Sequence, residues 1–117
     1  MDSILLSIKK MLNVHKDDAS FDTDIITLIN STFVTLHQIG VGPAKGFAIS
    51  GSDETWDEFI PDADDISINS VKTYVYLKVR LVFDPPTSSS VMEAINKNVN
   101  ELEWRLNVMA ESRTRGE

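Results

Sequence analysis

Two adjacent prolines, Pro85 and Pro86, separate the two longest apolar-patterned runs of the chain. A helix cannot pass through them, because proline lacks the N–H and disfavours the helical conformation in the residue before it. Asp84-Pro85-Pro86 is therefore a hinge. Behind it, Val91, Ile95, Val99, Leu102, Leu106 and Met109 recur at steps of four, four, three, four and three, one face of a helix. Ser90 with Glu93 three residues later forms a capping box that starts this helix. Ahead of the hinge, Val71 to Phe83 is the most apolar segment. Its alternation fits a strand, with β-branched and aromatic residues in support. Val71, Val75, Val79 and Val82 also make a helical stripe. The pattern alone allows both. Thirteen residues is long for a strand, and no second run of like length is there to pair with it, so helix is the preferred reading. The expectation is a long antiparallel helix pair, about 70–83 and 90–109, burying facing stripes.

Two shorter helices precede the pair. Ile4, Leu5, Ile8, Met11 and Leu12 have helical spacing behind Asp2 and Ser3, which can cap a helix over Ser3 to Leu12. A second helix begins near Asp22, read as its cap, with Phe21 and Ile26 as a hydrophobic staple. Ile25, Ile29, Phe33 and Leu36 form its buried stripe, and Gly40, Gly42 and Pro43 stop it. The segment 43–65 is irregular. Phe47-Ala48-Ile49 suits a short strand and Thr55 to Ile60 a single helical turn, with Trp56 and Phe59 as apolar anchors. A connection this long is usually functional or mobile.

The fold class expected is mainly α, in one domain over residues 1–110, with a flexible tail at 111–117. The 117 residues contain no cysteine, so disulfide and thiolate-metal chemistry are out. No run has the length of a membrane span or the flanks of a signal peptide, so a soluble protein made in a cytoplasm is expected. Eighteen acids against eleven bases give a net charge of −7, which disfavours gripping nucleic acid through clustered lysine and arginine.

No catalytic constellation emerges. His15 and His37 have no metal-binding spacing to acids. The acids Asp57, Glu58, Asp62, Asp64 and Asp65 fail the calcium-loop pattern, since Ile66 stands where an oxygen ligand is required. Thr87 to Ser90 have no adjacent base and read as turn and cap residues, and Gly40-Val41-Gly42 reads as a helix stop, not a phosphate loop. Trp104 and Val108 differ from these. They lie four apart, off the core stripe of the last helix, and an exposed apolar patch there must be covered by something. A packed neighbour within the chain is one cover. Another subunit is the other, with Glu101 and Arg105 flanking Trp104 as an i,i+4 pair.

The block Tyr76-Leu77-Lys78-Val79-Arg80-Leu81-Val82-Phe83-Asp84-Pro85-Pro86, followed by Glu101-Leu102-Glu103-Trp104-Arg105-Leu106-Asn107, resembles the head–tail connector (adaptor) proteins of tailed bacteriophages and prophages. Phe21 to Ile26, Gly40 to Pro43 and Glu54-Thr55-Trp56 resemble the same family. The resemblance implies a helical subunit of a ring between the portal and the next tail or stopper component, in the virion neck after assembly in the host cytoplasm. DNA would pass through the centre without sequence-specific binding, and no enzyme activity, cofactor, metal or membrane is implied. A net-negative ring would also let DNA pass without trapping it. The contact residues come from the sequence itself: Glu101, Trp104, Arg105 and Val108 against a neighbouring subunit, Arg113 and Arg115 on the portal, and Trp56 and Phe59 against a neighbour or the next tail component. The alternative is a small helical regulator or scaffold that binds a protein partner as a monomer or dimer.

Overall fold

The computed structural model describes residues 2–114, which form five helices: α1 (Ile4–Met11), α2 (Asp22–Gln38), α3 (Trp56–Phe59), α4 (Asp65–Phe83) and α5 (Ser89–Thr114). Among the described residues there is no sheet. One isolated bridge pairs Ser3 with Thr55, and it ties the start of the chain to the long loop through Ile4 N–H to Glu54 C=O at 3.0 Å.

The helix assignment over 71–83 holds, and α4 begins earlier, at Asp65, where Asp64 caps it by accepting from Ser67 N–H at 2.7 Å. α4 is the central element. It packs on α1 and α2 and also on α5. Val71, Val75 and Val79 are buried as expected, but so are Tyr74 and Leu77, so apolar cover extends over more than half of the helix circumference. Val82, read as part of the stripe, is exposed near the helix end.

α5 runs antiparallel to α4. Ser67 meets Met109 (Oγ to Sδ 3.3 Å) and Tyr74 donates to Glu103 (2.8 Å), so residue number falls along α5 as it rises along α4. Ile95, Val99 and Leu106 are buried and Leu102 and Met109 partly so, while Val91 is exposed. The start of α5 differs from expectation. The helix already includes Ser89 and Ser90, and Ser88 accepts from Val91 N–H at 3.4 Å. Several successive hydroxyls compete for the cap, and the chain turns at the first that reaches an open N–H.

Two N-terminal expectations need correction. Asp22 does not cap α2, because it is already helical, and Phe21 at the cap position makes no side-chain cap bond. The Asp22 carboxylate is instead 2.7 Å from the Lys9 ammonium. Phe21 sets its ring edge-on to Phe83, with centroids 5.4 Å apart, and α2 is thereby fastened to the end of α4. On α1, Ser3 caps as expected, Met11 is exposed, and Lys9 is buried in its place. A buried ammonium needs partners. Lys9 donates to the carbonyls of Lys16 (3.2 Å) and Asp18 (2.8 Å) besides pairing with Asp22.

The stripe Ile25, Ile29, Phe33 and Leu36 is buried as expected. Gly40, at φ +91, ends α2 with Val41 N–H on Leu36 C=O and Gly40 N–H on His37 C=O, the paired bonds of a Schellman stop. The strand expected at 47–49 does not form. The Asn30 side-chain amide takes both backbone groups of Ile49, at 2.8 and 2.9 Å, and acts as a one-residue substitute for a partner strand. The helical turn after Thr55 does form, with a capping box between Thr55 and Glu58.

Candidate subunit-contact surface

The last helix packs chiefly against α4, and Asn107 also donates to the Ile39 carbonyl at the end of α2. Leu106 and Ala110 close the packed side. Residues 101, 104, 108 and 111 follow at i, i+3, i+7 and i+10 and therefore share the opposite face. On it Trp104 is 67% exposed and Val108 39%. An indole of which two thirds meets solvent is the largest apolar side chain left uncovered. Burying a tryptophan against a partner removes a large apolar area from water, which is why this residue dominates contact hot spots. Glu101 and Arg105 lie beside it, 3.8 Å apart and both more than half exposed. A pair this loose and wet contributes little to the subunit alone, and both groups are available to a partner.

The other residues expected at contacts divide differently. Trp56 and Phe59 belong to the core, at 2% and 1% exposure, and offer no surface to a partner. The Phe59 ring stacks on Phe33 (4.4 Å) and tilts against Phe47 (5.3 Å), Trp56 meets Phe33 edge-on, and its indole N–H donates to Ser7 Oγ at 2.8 Å. The long loop is thus sealed onto the body of α2 and onto α1, and is not an arm. The three-residue spacing of Trp56 and Phe59, behind a complete capping box, was the available signal, since it sets both rings on one side of a single turn. Arg113 falls in the last turn of α5, which continues through Thr114 past the expected start of the tail, and Arg115 lies outside the described residues.

A surface that sequence reasoning missed lies along α1 and the connector after it. Leu6 and Val14 line an open groove there together with Lys10, Asn13, His15 and Lys16. Asn13, at φ +63, turns the chain so that Val14 N–H returns to Lys9 C=O at 2.9 Å. Leu6 belongs to the helix and Val14 to the connector, so only this turn makes them neighbours.

The perturbed ionisable groups are structural. Burial, with the Glu103 bond and charge, pushes the Tyr74 phenol well above its ordinary value. Hydrogen bonding from Lys72, and its charge, holds Asp2 low; the Ser20 bonds do the same for Asp18, and those of Ser67 for the Asp64 cap. Among the described residues no three His, Asp or Glu side chains gather as a metal site, and no helix is long and apolar enough to cross a membrane.

No curated protein and no solved structure shows a significant match to the chain. A family model described as phage connector protein matches residues 4–113, and the chain belongs to that family, a structural and non-enzymatic kind of protein.

Proposed function

We propose that this phage connector protein works as one subunit of a closed ring between the portal and the tail or stopper component, with DNA passing through the centre. The observation that carries the reading is Trp104, 67% exposed on the face of α5 opposite its packed side. Copies of the same chain supply the cover, and in a ring every copy both gives and receives the same contact. Glu101 and Arg105 fix the register of that contact more than its strength. Docking on the portal falls to the C-terminal end, through Arg113 and Arg115. The virion neck is the resulting location, reached after folding in the host cytoplasm.

The test is sedimentation and negative-stain microscopy of the wild type and Trp104→Ala, with and without the portal. The expected result is rings for the wild type and at least ~tenfold weaker assembly for the variant, as for a contact hot spot, with unchanged helicity. Unchanged rings in the variant would remove Trp104 from the interface. A stable two-fold dimer in place of rings would favour a scaffold or regulator. A truncation lacking residues 113–117 should still form rings but lose portal binding, and retained portal affinity would take the C-terminal end out of the mechanism.

A further inference from the structure

We infer that the Trp104–Val108 ridge of one copy seats in the Leu6–Val14 groove of the next. The inference rests on the ring reading above and names the surface that receives the ridge. Three observations point to this pairing. The first is charge. The ridge carries Glu101 at one end, where Arg105 pairs with it, and Glu111, unpaired among the described residues, at the other, while Lys10 and Lys16 line the groove together with Leu6 and Val14. In a chain of net charge −7, a basic margin around apolar side chains matches an apolar strip with acidic ends. The second is rigidity. Lys9, 1% exposed, clamps the carbonyls of Lys16 and Asp18 and the Asp22 carboxylate, so the connector wall is held in place before a partner arrives. A preformed wall lowers the ordering cost of binding. The third is placement. α1 packs on α2 and α4, whereas α5 packs on α4, so ridge and groove are separate surfaces. A contact between two different surfaces is head-to-tail, the kind that closes into rings. Self-pairing of the ridge about a two-fold axis would instead bring Glu101 against the Glu111 of its mate, like charge on like.

The test uses two variants that each disable one side. Trp104→Ala keeps the groove, and the double variant Lys10→Glu, Lys16→Glu keeps the ridge. Alone, each should assemble at least ~tenfold more weakly than the wild type. Mixed in equal amounts, they should form a one-to-one dimer that grows no further, because one intact ridge meets one intact groove and the remaining pair is dead. Circular dichroism checks the fold of each, and Lys10→Ser, Lys16→Ser substitutes if the charge reversal unfolds the chain. Wild-type rings from the groove variants, with Trp104→Ala still defective, would overturn the groove and leave the ring reading standing. Absence of the mixed dimer would also overturn the groove. A wild type that stays monomeric with and without the portal would overturn both.

Discussion

The two tryptophans should respond to truncation in opposite ways. A tryptophan side chain buries ~200 Å² when fully covered, worth ~5 kcal/mol at ~25 cal/mol per Å². Trp56 is 2% exposed, so nearly all of this is lost in Trp56→Ala, less ~1 kcal/mol for the carbon that alanine keeps. The lost indole N–H bond adds ~1 kcal/mol at most, because Ser7 Oγ retains its bond to Ile4 C=O. A net ~4–5 kcal/mol follows, within the ~3–5 kcal/mol known for large aromatic truncations. That is a large share of the ~5–15 kcal/mol by which a domain of this size is stable. Trp104 has only about a third of its surface covered, ~70 Å² or ~1.5 kcal/mol, and alanine returns ~0.5 kcal/mol through helix propensity. Trp104→Ala should therefore cost ~1 kcal/mol. The assay is urea unfolding followed by circular dichroism at low protein concentration, since assembly would add apparent stability to whichever chain associates. Equal losses for the two variants would refute the reasoning, because Trp104 would then be covered within the single chain.

Gly42→Ala should destabilise by at least ~2 kcal/mol, because the backbone sits at φ +97 and a Cβ would lie 2.5 Å from Phe59 Cε1. Gly46→Ala, at φ +88 with open space around it, should cost only the ~1 kcal/mol of backbone strain; equal thermal shifts would show that Phe59 gives way freely. Tyr74→Phe should cost ~1–2 kcal/mol by removing the bond to Glu103. Its pH dependence has a definite sign. The folded phenol holds its proton more tightly than the unfolded one, so wild-type stability is intact below pH ~10 and falls above it as the unfolded chain ionises. Unfolding titrations from pH 8 to 11 should show a shallower alkaline decline in the phenylalanine variant, and parallel curves would mean that Tyr74 does not titrate differently in the two states.

Much of the helical plan was legible in the chain because helix signals are local. The Pro85-Pro86 hinge, the Gly40 stop, the Ser3 cap and the helical turn after Thr55 rest on signals within a few residues of their own position, and each appears where the pattern put it. The outward position of Trp104 followed from spacing against Leu102, Leu106 and Met109. Errors arose where a local rule met a distant partner. Asp22 has the residue type of a cap, but Lys9 from α1 takes its carboxylate. Ile49 has the residue type of a strand, but its backbone groups are used by Asn30.

The amino-acid order alone thus determined which segments are helical and where the chain turns back between them, because proline and glycine breaks and apolar periodicity act within one or two turns. Tertiary structure decided which apolar side chains are spent inside the subunit. Trp56 and Trp104 are the same residue in comparably amphipathic surroundings. One is sealed by a loop closing over Phe33, and the other is left outside because the face of α5 that packs on α4 and on the end of α2 is the opposite one. An amphipathic stripe specifies that a face must be covered, and only long-range packing specifies what covers it.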